Sequence, residues 1–310
     1  MAVLAALTTG ALTLAGGVAS AAPPSGGQAT TTASGYLYRP GRYIPVGTVN
    51  GLPTGQYGIN DHGQVSGAYT EAGQLHGFVR DARSRVTTFD AVPGSATAPF
   101  HINDRGTVVG GYATTTAHGF VRSAQGKITT VDVPGAIATI LYGVNDRGAV
   151  VGQYVDAQGL EHGFELDHGK LTVIDPPGLD AAANARDTSA FDINDTGQVV
   201  GYYADAHGTY HGYLYDHGRF VRVDPPKAAD VSDYATTVAF GINDEGEVVG
   251  QYVDRADVLH GYLWQPRRGF STIDPPGGSA GTVAVDIDDR GRILLPTPGI
   301  LAKGRAVALS

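Results

Sequence analysis

Short apolar runs alternate with polar turns along this chain, and the alternation itself recurs. From Ala190 to Pro226, Phe191 to Asn194 reads as a short strand and Asn194-Asp195-Thr196-Gly197 as a type I turn. Asn favours the first position of such a turn and Gly the last. Gln198 to Tyr203 is predicted as a second strand, His211 to Tyr215 as a third and Arg219 to Asp224 as a fourth. Asp216-His217-Gly218 turns the chain between the last two. Pro225-Pro226 stops the fourth, because proline cannot donate to a sheet ladder. Four antiparallel strands in succession make one meander, which cannot bury both faces alone.

Neighbouring copies can cover those faces. Asn60, Asn103, Asn145, Asn194 and Asn243 open five copies at a period of 42 to 49 residues, and Asp288 opens a sixth that is not completed. Four-stranded units at this period are the pattern of propeller blades. Gly35-Tyr36-Leu37-Tyr38 matches Gly212-Tyr213-Leu214-Tyr215, so the N-terminal end is predicted to supply a third and a fourth strand. Asp286-Ile287-Asp288-Asp289-Arg290-Gly291 matches the first turn, so the C-terminal end supplies a first and a second. The expected fold is an all-β, six-bladed β-propeller over residues 35–299, with four antiparallel strands per blade and the last blade closed by both termini. Closure hides the sheet edges that a linear array would expose.

Composition fits this picture and narrows the partners. Glycine at 45 residues, 17 prolines and many Val, Thr and Tyr suit an all-β chain. A net charge of −9 argues against a nucleic acid or an anionic membrane surface, since both reward Lys and Arg. The absence of cysteine rules out disulfides, thiolate zinc sites and a Cys nucleophile. Residues 1–21 read as a secretory signal peptide: they carry no charged side chain and end in the small-x-small site Ala19-Ser20-Ala21. The rival is a membrane anchor, disfavoured by the many Thr and Gly residues and the short apolar core. Residues 22–34 are then a flexible linker and 300–310 a C-terminal tail. The mature protein is expected to be extracellular, monomeric and free of the membrane.

Two residue types recur with chemical potential. The histidines of the His-Gly pairs are His76, His118, His162, His211 and His260. Asp90, Asp132, Asp175, Asp224 and Asp274 follow 13 or 14 residues later, facing them across a hairpin. Five such pairs could be metal ligands or general-base pairs. The structural reading is preferred, because an active site is one place and not five equivalent ones. In the closing blade Ser34 stands where the His would be, and no Asp follows near Gly47.

The Asn-Asp-x-Gly turns, for instance Asn103 and Asp104, offer too few oxygens for calcium, and turn chemistry explains them. No metal and no cofactor are expected. The Gly-x-Tyr tyrosines, such as Tyr154 and Tyr252, are expected to pack between blades. Gly110 and its equivalents are expected to let neighbouring backbones approach closely.

At these motifs the chain resembles the HAF family of extracellular repeats. The clearest copy reads Ile193-Asn194-Asp195-Thr196-Gly197, Val199-Val200-Gly201-Tyr202-Tyr203, His211-Gly212-Tyr213 and Asp224-Pro225. The likeness covers about residues 35 to 295 and implies a location and a repeat, but no reaction. It is imperfect in detail: Val144 replaces Ile in the third copy, and Asp288 replaces Asn in the last.

Function is expected where copies depart from the pattern. The connections Gly178 to Ser189 and Lys227 to Val238 are the longest, and they share a face with the turns at Asp205 to Tyr210 and Asp254 to Leu259. Long loops on one face of a rigid scaffold commonly bind ligands. The candidate binding residues there are Asp180, Arg186, Asp187, Lys227, Asp230, Asp233 and Tyr234. No nucleophile elbow, H-E-x-x-H or phosphate loop is present, so no catalytic residue is named. The expectation is a non-enzymatic binding or scaffold module for a glycan or protein. The alternative is a polysaccharide hydrolase or lyase, with a carboxylate pair drawn from Asp180, Asp187, Asp230 and Asp233.

Overall fold

Each repeat folds into one four-stranded antiparallel sheet, and six sheets form the propeller of the computed structural model. It describes residues 35–39, 42–52, 54–176, 187–228, 237–274 and 281–296. The predicted signal peptide, linker and tail lie outside them. Among the described residues there is no helix.

Blade 1 spans Thr54–Ile59, Val65–Glu71, Gln74–Arg80 and Val86–Phe89, and blade 2 begins at Ala96–Ile102. Blade 3 begins at Ala138–Val144, blade 4 at Thr188–Ile193 and blade 5 at Thr237–Ile242. In blade 6, Asp286–Ile287 pairs with Ile293–Pro296, which pairs with Gly35–Arg39, which pairs with Arg42–Pro45. This sheet therefore combines strands from the two ends of the described chain.

In blade 4 the first strand starts at Thr188, earlier than the pattern suggested, and the fourth stops at Arg222 instead of Asp224. The early start has a cause in packing: the first strand is wholly buried, so its polar Thr188, Ser189 and Asp192 gave it no apolar signature. Asp224 leaves the ladder because its carboxylate is used by His211.

The Asn-Asp turns are type I turns followed by a glycine at positive φ. The Gly197 amide donates to the Asn194 carbonyl at 3.0 Å, the Asn194 amide donates to the Gln198 carbonyl at 3.1 Å, and Gly197 has φ 85°. A glycine adopts this conformation without a Cβ penalty. Gly110 has a different reason. A Cβ there would lie 2.1 Å from the Ala98 carbonyl oxygen, so the second strand can lie against the first only without a side chain.

The core lies between blades. Phe78, Phe120, Phe164, Tyr213 and Tyr262, which follow the His-Gly pairs, are fully buried. At about 1.5–3 kcal/mol for each large side chain, these five contribute much of the adhesion between sheets.

Candidate functional site

All five predicted His–Asp pairs form. Nδ1 of His76, His118, His162, His211 and His260 lies 2.8, 2.9, 2.8, 2.8 and 2.9 Å from the carboxylate of Asp90, Asp132, Asp175, Asp224 and Asp274. In blades 3 to 5 the second ring nitrogen faces Asp156, Asp205 and Asp254 at 3.3, 3.2 and 3.4 Å. In blade 2 Thr116 takes that place at 3.0 Å. The rings range from 3 % exposed at His211 to 28 % at His118, and none of the five lines the central channel.

The hydrogen bond that His162 donates to the Asp175 carboxylate raises the pKa of His162 above its ordinary value, against the opposing effect of burial. At His211 burial pulls downward, but Asp224 and Asp205 outweigh it. Each Gly-x-Tyr tyrosine also lies against its own blade's histidine, stacked in blades 2, 3 and 5 and tilted in blades 1 and 4. The Tyr154 and His162 centroids are 5.0 Å apart, and those of Tyr252 and His260 5.1 Å. The cause is register, since Tyr154 pairs directly with His162 across the ladder.

The Asn-Asp turns meet around the channel mouth. Asn60 Nδ2 donates to the Asn103 carbonyl at 2.9 Å, Asn103 to Asn145 at 2.9 Å, Asn145 to Asn194 at 3.1 Å, Asn194 to Asn243 at 3.0 Å, and Asn243 to Asp288 at 3.4 Å. Asp288 has no amide to continue the belt. Arg292 replaces it, pairing with the Asp288 carboxylate and donating to the carbonyls of Asn60 at 2.8 Å and Asp61 at 3.0 Å. The second residues of the turns, Asp61, Asp104, Asp146, Asp195, Asp244 and Asp289, form an acidic ring around a cavity of about 80 Å³. Burial and the neighbouring carboxylates push Asp289 up to about 6.

Below this ring the blades cease to be equivalent. The position two residues before each turn Asn is Gly58, Gly143 or Gly241 in blades 1, 3 and 5, but His101, Asp192 or Asp286 in blades 2, 4 and 6. A Cβ on the glycines would lie 2.7, 2.7 and 2.8 Å from the Cα of His101, Asp192 and Asp286. The glycines therefore make room for the charged residues. His101 Nε2 is 3.6 Å from Asp192 Oδ1 and 3.7 Å from Asp286 Oδ2. Each charged residue also accepts an amide of the next blade: Val144 to His101 Nδ1 at 3.3 Å, Ile242 to Asp192 at 2.9 Å, and Ile59 to Asp286 at 2.6 Å.

Burial raises the pKa of both aspartates, Asp286 to about 8, while His101 beside them lowers it in part. Burial works to lower His101, but the two aspartates reverse this and raise it. Tyr57, Phe100, Tyr142, Phe191 and Phe240 close the far side of this layer in an aromatic ring around a second cavity of about 30 Å³. The sequence reading missed the triad. Its signal was the alternation of glycine with a charged residue inside an otherwise uniform strand.

On the opposite face, the turns between second and third strands meet the blade-to-blade connections, as expected. Glu161 bridges Asp187 in parallel fashion, and Ala228 bridges Asp254. Of the predicted binding residues, Asp187 and Lys227 are described. Asp180, Arg186, Asp230, Asp233 and Tyr234 lie outside the described residues.

Lys227 is exposed in the turn after blade 4. Asp187 is half-buried and accepts the hydroxyls of Tyr202 at 3.0 Å and Tyr210 at 2.6 Å. Glu161 is bridged to Asp187 through the backbone, and its carboxylate accepts the Gln153 amide at 2.7 Å. Burial, and then the Asp187 charge, push Glu161 up to about 8. Glu161 was also missed; the preceding-His position is Leu75, Ala117, Tyr210 and Leu259 elsewhere.

No family model matches the chain, and no curated protein matches it either. Among solved structures, a streptogramin B lyase is 13 % identical, with a TM-score of 0.43, covering 82 % of this chain and 85 % of its own. The fucose-specific lectin from Aleuria aurantia is 16 % identical, with a TM-score of 0.45 and coverages of 77 % and 83 %. AofleA from Arthrobotrys oligospora is 13 % identical, with a TM-score of 0.45 and coverages of 76 % and 77 %. Nothing about ligand or reaction passes from them to this chain.

Proposed function

We propose that this is a secreted, non-enzymatic binding propeller whose ligand face carries the blade-to-blade connections. One observation carries the reading: Glu161 and Asp187, which break the repeat on that face, lie side by side and partly exposed at the junction of blades 3 and 4, held by the buried Gln153, Tyr202 and Tyr210. The repeated His–Asp pairs are engaged in their own hairpins, which leaves the unrepeated residues as the source of specificity. Carboxylates and an amide beside tyrosine rings suit hydroxyl-rich ligands, so the favoured ligand is an extracellular glycan, with a protein as the other occupant the face would admit. The resemblance to HAF repeats supports the extracellular location.

The polysaccharide hydrolase or lyase keeps one specific support. Glu161, with its raised pKa, sits beside Asp187, and a carboxyl that holds its proton next to a second carboxyl is what acid–base cleavage of a glycosidic bond requires. A glycan-array screen of the mature protein, with product analysis on every hit, separates the readings. Saturable binding without product supports the module. Product formation abolished by Glu161→Gln overturns it in favour of the enzyme, and no glycan bound at all removes the glycan ligand.

A further inference from the structure

We propose that the central channel holds one divalent metal ion, bound by His101, Asp192 and Asp286. The three side chains come from alternate blades and converge on the axis, with glycines in the intervening blades giving them room. One donor atom from each lies within 4.8 Å of the others, and Nε2 is 3.6 and 3.7 Å from the two carboxylate oxygens. Those separations are too long for direct hydrogen bonds. They are short enough that a point equidistant from all three atoms lies no more than about 2.4 Å from each, the range of metal–ligand bonds.

Supporting contacts are in place. Asp192 accepts the Ile193 and Ile242 amides, and Asp286 accepts the Ile287 and Ile59 amides, so both carboxylates are oriented by backbone on two sides. Fixed orientation of this kind is the usual second layer of a metal site. Both aspartates are almost fully buried, at 3 and 2 % exposure, so two carboxyl groups face one imidazole in a space from which bulk water is largely excluded. A divalent ion would take the place of the protons that this cluster otherwise shares. The acidic ring of Asp61, Asp104, Asp146, Asp195, Asp244 and Asp289 surrounds the cavity that leads to His101, and it concentrates cations at the entrance.

The donor set selects the ion. One imidazole with two carboxylates suits Mn²⁺ or Zn²⁺ better than Mg²⁺ or Ca²⁺, which favour all-oxygen ligands. All three side chains line the cavity of about 30 Å³, which leaves room for about one water to complete the coordination. The Val144 amide donates to His101 Nδ1, which places the ring proton on Nε2 in the ion-free form. Ligation at Nε2 moves that proton to Nδ1, where it would oppose the Val144 amide, so the ring must turn away from this contact.

The test uses the full mature chain, stripped with a chelator and dialysed. Titration calorimetry and thermal shift are recorded with Mn²⁺, Zn²⁺, Mg²⁺ and Ca²⁺. The expected result is one Mn²⁺ or Zn²⁺ per chain and a raised melting temperature, with affinity reduced at least 100-fold in Asp192→Asn/Asp286→Asn. Each Asn keeps the shape but only one of the two oxygens that accept backbone amides, so circular dichroism checks that this variant folds. His101→Gln is the second variant, expected to weaken binding and shift preference toward Mg²⁺ and Ca²⁺. Asp104→Asn/Asp195→Asn, in the mouth, is expected to slow uptake without abolishing binding. No saturable binding at millimolar metal means that protons alone balance the triad, and this overturns the proposal. So does binding lost in the mouth variant but retained in Asp192→Asn/Asp286→Asn.

Discussion

Arg292 joins the last turn of the channel belt to the first by hydrogen bonds, and its removal is expected to be costly. It is 9 % exposed, its partner Asp288 is 5 % exposed, and it donates to the carbonyls of Asn60 and Asp61. Arg292→Gln leaves the Asp288 carboxylate buried without its counter-charge, which costs about 3–5 kcal/mol. At about 2–4 °C per kcal/mol for a domain of this size, the melting temperature should fall by roughly 6 to 20 °C.

The other copies suggest the repair. Asn194 donates both to the next blade and to Gln198 Oε1, four residues on, and Asn60 does the same with Gln64. Asp288→Asn/Arg292→Gln installs that pair in the sixth turn, so its new amide can reach the Asn60 carbonyl. The double variant should recover to within about 1 kcal/mol of the parent. Asp288→Asn alone should be destabilising, because it strands the buried guanidinium. Urea unfolding of the four proteins completes a double-mutant cycle. If Arg292→Gln melts within 2 °C of the parent, or the double variant is no more stable than Arg292→Gln, the belt does not hold the ring closed.

Three further expectations concern other layers. Thr97 and Thr139 accept the amides of Ala91 and Val133 at 3.0 Å, whereas the buried hydroxyls of Thr188 and Thr237 find no partner among the described residues, since Pro176 and Pro225 stand where those amides would be. Thr139→Val should therefore lose about 1 kcal/mol in urea unfolding and Thr188→Val should lose none; equal losses would refute the pairing. His162→Ala strands Asp175 and Asp156 and should cost about 1–3 kcal/mol, so an unchanged melting temperature would count against a structural role. Glu161, at about 8, binds its proton more tightly folded than unfolded. Its contribution is fully present below the ordinary carboxyl range, about pH 4.5, and is lost as pH rises through about 8. Melting temperature should drop between about pH 4.5 and 8 in the parent and less steeply in Glu161→Gln; parallel profiles would reject the shifted Glu161.

The His–Asp pairs were legible because both members lie on one hairpin, 13 or 14 residues apart, where strand register alone brings them together. The turn asparagines were read only by half. Their side-chain oxygens do serve their own turns, as when the Gln198 amide donates to Asn194 Oδ1 at 2.9 Å. Their side-chain nitrogens reach the neighbouring blade, a contact no local spacing contains. Glu161 and Asp187 stayed separate for the same reason, since they belong to different blades and only the docking of blade 3 against blade 4 joins them.

By itself the sequence determined the blade: four strands, a turn closed by Asn and Gly, a buried aromatic after each His-Gly, and six units in all. Those features follow from strand register and turn chemistry within some 45 residues. Only the closed ring decided what stands on the axis. Closure brings the same position of every copy to one centre, so Gly58, His101, Gly143, Asp192, Gly241 and Asp286 become neighbours although Gly58 and Asp286 lie near opposite ends of the described chain. The angle between blades is set by packing of the whole ring, and no short-range pattern along the chain encodes it.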